Sequence, residues 1–151
     1  MYNWSAMQIT TKSEQETKEF AKKFAAKLSG GMILCLYGEL GAGKTTFVKG
    51  LAEGLSIKDN ITSPTFTLMN IYKIANKKTA IQSLVHIDTY RLKNEEELLQ
   101  IGAEDYVGTP DSITVIEWPE KVANFLKEKK VTKIYLGHAS DNEREIKVES
   151  Q

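Results

Sequence analysis

The stretch "MILCLYGELGAGKTTFVKGLAEGL", residues 32–55, decides the fold of this chain. Gly38, Gly43, Lys44 and Thr45 occupy the fixed positions of G-x-x-x-x-G-K-[ST], the phosphate-binding loop or P-loop, with a further glycine at Gly41. The glycines let backbone N–H groups turn toward phosphate oxygens. The lysine supplies a positive charge, and the threonine hydroxyl suits Mg²⁺. The stretch therefore predicts a nucleotide-binding site.

The residues on either side of the loop predict its setting. The apolar run from Met32 to Tyr37 indicates a buried strand, and the pattern up to Leu55 indicates a helix. A helix that begins at the loop adds the positive end of its dipole to the phosphate site. As a loop residue, Lys44 is expected to face solvent.

Composition limits the class of protein. A chain of 151 residues with 41% hydrophobic content suits one globular domain, here residues 1–151. Its 20 basic and 20 acidic residues cancel, so no overall charge recruits nucleic acid or membrane, while a local basic patch stays open. The single cysteine, Cys35, lies in an apolar run, which indicates core packing in a reducing compartment. We find no signal sequence or 18-residue apolar span and expect a cytoplasmic protein without a membrane partner.

The rest of the chain alternates helical and strand-like patterns. Ser13 and Glu16 have capping-box spacing at the start of a helix, and Asn94 is placed to cap a second one. Further segments are read as an antiparallel strand pair, a strand, a helix and a terminal hairpin: 66–74 with 80–88, 112–118, 119–130, and 133–140 with 144–150. We expect residues 1–6 and 145–151 to be loose termini.

These patterns predict the fold class α/β. The expected architecture is a single-domain P-loop NTPase fold, with a mixed, mostly parallel sheet flanked by helices and one antiparallel strand pair.

Two carboxylates follow apolar runs. Asp88 ends the run in "HIDTYR", where Walker B carboxylates are found, and Glu117 ends the run before "WPE". Ligands collect at the carboxyl ends of strands in open α/β sheets, so both carboxylates are predicted to reach a Mg²⁺ shell. For His86 a structural role is favoured over a catalytic one. For Arg91, pairing with the adjacent Asp88 and a role as an arginine finger both stay open.

Four motifs in order, "GELGAGKTTF", "SPTF", "HIDTYRL" and "EWPEK", resemble the TsaE family, also called YjeE, over roughly residues 13–144. The resemblance implies a small bacterial P-loop ATPase that uses ATP and Mg²⁺. It implies a role in threonylcarbamoyladenosine (t6A) modification of tRNAs that read codons beginning with adenine. TsaD and TsaB are the implied partners, and direct tRNA contact stays open.

The resemblance also implies roles for individual residues. Lys44, Asp88 and Glu117 would be catalytic, and Thr45, Asp88 and Glu117 would hold the metal. Thr65 would lie in a loop that senses the nucleotide state, and Trp118 would accompany Glu117. The implied nucleotide-binding residues are Thr11, Ser13, Leu40, Gly41, Ala42, Gly43, Lys44, Thr45, Thr46, Thr65 and Trp118.

Three other classes were weighed. A small-molecule kinase needs several phosphate-binding arginines, and this chain has only Arg91 and Arg144. A GTPase needs Asn-Lys-x-Asp, and the segment "NKKT" has Thr79 in place of the aspartate. A non-hydrolysing, nucleotide-gated binding protein remains an alternative, because it would carry the same motifs.

Overall fold

The computed structural model describes residues 6–76 and 78–150. The predictions for residues 1–5 and residue 151, and Lys77 within the NKKT segment, lie outside these ranges. The described residues form one seven-stranded sheet, ordered β1-β7-β6-β2-β5-β4-β3. Its strands are β1 (Ala6–Thr11), β2 (Ile33–Tyr37), β3 (Met69–Lys73), β4 (Ser83–Asp88), β5 (Ser112–Glu117), β6 (Thr132–His138) and β7 (Arg144–Ser150).

Five of these strands run in one direction: β1, β6, β2, β5 and β4. β6, β2, β5 and β4 pair side by side in parallel. β7 lies antiparallel between β6 and β1, and β3 lies antiparallel to β4 at the opposite edge. The α/β class, the mixed sheet, the strand pair and the terminal hairpin are therefore confirmed.

Two features at the edge of the sheet formed by β1 and β7 differ from the sequence prediction. Residues 145–150 are not a loose terminus, because β7 is hydrogen bonded to a strand on each side. β1 was not predicted at all. The hydroxyls of Thr11 and Thr17, 2.6 Å apart, link the end of β1 to the helix that follows.

Four α-helices occur in the described residues: α1 (Glu14–Ala25), α2 (Lys44–Gly54), α3 (Glu96–Gln100) and α4 (Ala123–Leu126). The predicted cap of α1 is present, since Ser13 Oγ accepts the Glu16 N–H at 3.1 Å. Asn94 Oδ1 accepts the Glu97 N–H at 3.3 Å, but the N-cap residue of α3 is Glu95, one residue further along. No described helix is long and apolar enough to cross a membrane.

The helix predicted over residues 119–130 is shorter than expected. A 3₁₀ turn covers Pro119–Val122, and α4 follows it and ends at Leu126. Val122 interrupts the helical path because its backbone has φ −128° and ψ 39°, and its side chain is fully buried.

The core lies on both faces of the sheet. On one face, Phe24 of α1 and Phe47 and Leu51 of α2 share a cluster with Leu34 and Leu36 of β2. On the other, Leu98 of α3 and Leu126 of α4 share a cluster with strand residues that include Cys35 and Ile116. Burial on both faces is typical of central parallel strands. It holds the carboxyl ends of β2, β5 and β4 side by side along one side of the sheet, where the strands end.

α1 and α2 approach each other unusually closely. An added Cβ at Gly50 would lie 2.4 Å from the Lys18 carbonyl oxygen, and one at Gly54 would lie 2.5 Å from the Lys22 carbonyl oxygen. Only glycine fits at these two positions of α2. Because α2 begins at Lys44, this contact also sets where the P-loop stands relative to α1.

Candidate functional site

The P-loop, residues 38–45, connects β2 to α2. Gly41 and Gly43 adopt left-handed backbone conformations, with φ 80° and 103°. An added Cβ at either residue would meet no atom within 4 Å, so the space beside the loop is open. Gly43 is the N-cap of α2 and provides no side-chain cap. The first-turn N–H groups of α2 have no partners within the helix and can serve an anion.

Lys44 does not face solvent as expected: it is only 5% exposed. Its ammonium donates to the Gly38 carbonyl oxygen at 2.5 Å and lies 3.7 Å from the centroid of the Trp118 ring. Burial lowers the pKa of Lys44, and the carboxylates of Glu117 and Asp88 oppose that shift. The loop therefore holds a desolvated cation close to two carboxylates.

A cavity of about 640 Å³ lies beside the P-loop, a volume within the usual range for small-molecule sites. It is lined by most of the residues predicted to bind nucleotide or metal: Ser13, Leu40, Gly41, Gly43, Lys44, Thr45, Thr46, Thr65, Asp88, Glu117 and Trp118. The sheet thus brings residues from distant parts of the chain to one place.

Two predicted residues, Thr11 and Ala42, do not line the cavity. The side chain of Ala42 points into the hydrophobic core instead, where it is 1% exposed. Thr11 is 3% exposed and hydrogen bonded to Thr17, which does line the cavity. Thr11 therefore lies behind Thr17 and does not reach the cavity that it was predicted to line.

Asp88 ends β4 and anchors a neighbouring loop. Its Oδ2 atom accepts hydrogen bonds from Thr65 Oγ1 at 3.1 Å and Ser63 Oγ at 3.3 Å, and its Oδ1 accepts the Tyr90 N–H at 2.9 Å. The two hydroxyls are themselves 2.7 Å apart. Asp88 thus ties the SPTF loop, residues 63–66, to the floor of the cavity.

Glu117 ends β5 and stands beside Asp88 in the strand register. Its Oε2 atom lies 2.6 Å from Nε2 of the fully buried His86. Its Oε1 atom accepts no hydrogen bond from the described residues. Glu117 lines the cavity, so its Oε2 atom contacts His86 while its Oε1 atom stays available to a ligand.

Trp118, the next residue, has a left-handed backbone with φ 58°, which is uncommon for a bulky side chain. The Thr89 hydroxyl donates to the carbonyl oxygens of Glu117 at 2.9 Å and Trp118 at 2.5 Å. The Trp118 ring lies 5.0 Å from the Tyr90 ring. These contacts hold the indole at the cavity wall, over Lys44.

Arg144 is a site residue that the sequence did not predict. Its guanidinium donates to the Gly41 carbonyl oxygen at 3.3 Å and to carbonyl oxygens of the β6–β7 hairpin, and it lines the cavity. No local pattern marks this residue, although the scarcity of arginines could have drawn attention to it. Arg91 does not pair with Asp88: its guanidinium lies 4.3 Å from the centroid of the exposed Phe66 ring.

The described residues contain no group of three or more His, Cys, Asp or Glu side chains that could hold a metal ion. The cavity instead offers the Thr45 hydroxyl and the carboxylates of Asp88 and Glu117. Few protein oxygens, supplemented by phosphates and water, are what Mg²⁺ prefers. The donor set therefore fits Mg²⁺ bound together with a phosphate ligand, and does not fit a metal held by protein alone.

Comparison with known proteins relates this site to a family. The family model described as "Threonylcarbamoyl adenosine biosynthesis protein TsaE" matches residues 11–146. This range includes the P-loop, the SPTF loop, both carboxylates and Arg144. The chain belongs to the TsaE family.

Two curated TsaE proteins, each named as a tRNA threonylcarbamoyladenosine biosynthesis protein, support the assignment. The one from Treponema pallidum is 43% identical over 143 residues, which is 94% of this chain and 99% of that protein. The one from Bacillus subtilis is 38% identical over 136 residues, covering 90% and 80% of the two chains. The crystal structure of Bacillus subtilis YdiB superposes with a TM-score of 0.73 at 33% identity, covering 96% of this chain and 85% of YdiB. The predicted resemblance to TsaE is confirmed.

Proposed function

We propose that this protein binds and hydrolyses ATP with Mg²⁺ in the cytoplasm, as an accessory to t6A modification of tRNA, and acts with TsaD and TsaB. The names of its relatives support the pathway. One observation carries the ATPase proposal: Lys44, Thr45, Asp88 and Glu117 surround a single cavity. The proposal includes the identity of the modified tRNAs, which are those that read codons beginning with adenine.

In this proposal the P-loop binds the phosphates. The open faces of Gly41 and Gly43 leave room for phosphate oxygens beside backbone N–H groups. Lys44 is already desolvated, so its interaction with an anionic phosphate is stronger than that of an exposed lysine. Ser13 and Arg144 lie on other sides of the cavity and restrict how the rest of the nucleotide lies.

The carboxylates of Glu117 and Asp88 have different roles in the proposed metal site. When bound, Mg²⁺ would neutralise charge on the β and γ phosphates during transfer to water. We assign Thr45 and Glu117 as its direct protein ligands, because Glu117 Oε1 accepts no hydrogen bond from the described residues. Asp88 already accepts three, so we assign it to the outer part of the metal site and to fixing the SPTF loop.

The same residues supply a route to partner control. Thr65, in the SPTF loop, is hydrogen bonded to Asp88, and Trp118, in the segment after β5, contacts Lys44. Both segments therefore contact groups that bind phosphate or metal in this proposal. A change in nucleotide alters those contacts and so favours one loop arrangement over another. We propose that TsaD and TsaB read this difference.

Phosphate release by the purified protein, alone and with TsaD and TsaB, tests the proposal. We expect multiple turnovers that the partners stimulate and that Lys44→Met abolishes. Absence of turnover under all conditions would rule out the ATPase. If ATP still controlled partner binding in that case, the non-hydrolysing switch would be the better description.

A further inference from the structure

We propose that His86 is a positioning residue, whose imidazole holds the Glu117 carboxylate so that Oε1 is presented to the metal. The inference rests on the proposed function, in which Glu117 is a Mg²⁺ ligand. It assigns a role in the site to a histidine for which the sequence favoured a structural role.

The sheet register places the two side chains on the same face. Asp88 of β4 is paired with Glu117 of β5, and His86 is paired with Val115. Side chains two residues apart on a strand share a face, so His86 lies one step deeper than Asp88 beneath the cavity. From there its Nε2 atom reaches Glu117 Oε2 at 2.6 Å.

The partners of the imidazole ring favour one position for its proton. Glu117 presents a carboxylate oxygen to Nε2, so Nε2–H is the donor. His86 Nδ1 is buried and has no hydrogen-bond partner in the described part of the chain. A ring protonated at Nε2 alone leaves only a lone pair at Nδ1, whereas a proton at Nδ1 would leave a buried donor unpaired.

That unpaired nitrogen is the reason to assign a function. His86 is 0% exposed, and Leu84, on the same face of β4, is part of an apolar cluster. In a purely structural position, a buried imidazole with one unsatisfied atom is worse than an aliphatic side chain of similar size. The contact with Glu117 is what the imidazole provides and a leucine cannot.

Fixing Glu117 has a direct consequence for metal binding. A glutamate has three side-chain torsions, and the hydrogen bond at Oε2 removes most of that freedom before the ligand arrives. Partners behind a metal ligand commonly change metal affinity or activity about 10- to 100-fold. His86 should therefore increase the affinity for Mg²⁺ without touching the nucleotide.

Calorimetric titration of AMP-PNP, with Mg²⁺ and with EDTA, tests this role. We expect His86→Leu to reduce the Mg²⁺ enhancement of AMP-PNP affinity about 10-fold while leaving the affinity in EDTA unchanged. His86→Gln, whose amide nitrogen can reach the position of Nε2, should recover most of the loss. The exposed His138 supplies the matched control, His138→Gln, which should behave as wild type.

A double-mutant cycle separates positioning from general packing. In a Glu117→Gln background, His86→Leu should cause no further loss of Mg²⁺ enhancement. A full additional loss would overturn the positioning role. So would a Mg²⁺ enhancement that survives His86→Leu unchanged in the otherwise wild-type protein. Absence of AMP-PNP binding by wild type would instead refute the proposed nucleotide function.

The tautomer provides a test that needs no variant to fold. The chain has two histidines, so a long-range ¹H–¹⁵N NMR spectrum contains one other imidazole, that of the exposed His138. We expect His86 to show Nε2 protonated and Nδ1 unprotonated. The opposite tautomer would break the contact with Glu117 and refute the inference.

Discussion

Gly50→Ala should destabilise the protein even though alanine is the better helix former. The new methyl group would lie 2.4 Å from the Lys18 carbonyl oxygen and 2.7 Å from the Ala21 Cβ. Both contacts are with rigid parts of α1. Relieving the closer one to an ordinary distance requires the two helices to separate by about 1 Å.

The magnitude follows from two opposing terms. Alanine gains about 1 kcal/mol of helix propensity over glycine. Overpacking of a close contact costs about 1 to 3 kcal/mol, and two short rigid contacts put this site at the upper end. The net loss is then about 2 kcal/mol, which for a protein of this size lowers the melting temperature by roughly 4 to 8 °C.

Thermal and urea denaturation measure the loss, and AMP-PNP titration measures its effect on the site. The affinity should also fall, because α2 carries Lys44 and Thr45 at its first turn. Gly137→Ala is the matched control: no atom lies within 4 Å of its added Cβ, so its stability should be unchanged or higher. A Gly50→Ala protein as stable as wild type would refute the close helix contact as a constraint.

Further results are expected for five other substitutions. Lys44→Met should weaken ATP binding at least 10-fold in a filter or calorimetric assay, because it removes a charge-assisted contact with phosphate. Glu117→Gln should lower Mg²⁺-dependent turnover more than it lowers ADP affinity in EDTA, whereas Asp88→Asn should also increase proteolysis in the SPTF loop that Asp88 anchors. Trp118→Ala should impair capture of TsaD and TsaB more than ATP affinity, since indole offers contact area and no phosphate chemistry. Burial raises the pKa of Cys35 from 9.0 to about 12, so the neutral thiol stabilises the fold below pH 9 and that contribution is lost as the pH rises toward 12. Denaturation across this range should show a shallower decline for Cys35→Ala than for wild type.

The sequence predicted the parts of the fold that rest on continuous patterns. β2 and α2 follow from an apolar run, a glycine-rich loop and a helical pattern that are adjacent in the chain. Asp88 and Glu117 were found because each ends an apolar run, and parallel strands bring such ends together.

The missed features depend on long-range pairing. β1 has only two partly buried apolar positions, Met7 and Ile9, which is too short an alternation to mark a strand. It exists because β7 offers a hydrogen-bonding edge. Arg144 reaches the P-loop only because β7 starts beside it, and no local spacing encodes that approach.

The environments of individual side chains also depend on residues that are far apart in sequence. Lys44 was expected to face solvent because it belongs to a glycine-rich loop, yet the ring of Trp118 covers it. The contact joins residues that are far apart in sequence. For the same reason, no local pattern indicates the hydrogen bond between His86 and Glu117, which lie on different strands.

The position of β7 between β6 and β1 has a consequence for synthesis on the ribosome. β1 emerges before the other described strands, but its strand partner is β7, which emerges after β2 to β6. Lys12 and Ser13 directly follow β1, and Arg144 begins β7, so two walls of the cavity must wait for the same late event. A nascent chain halted before Arg144 would display its P-loop in an incomplete pocket. Nucleotide binding would therefore report that β7 has left the ribosome and joined the sheet.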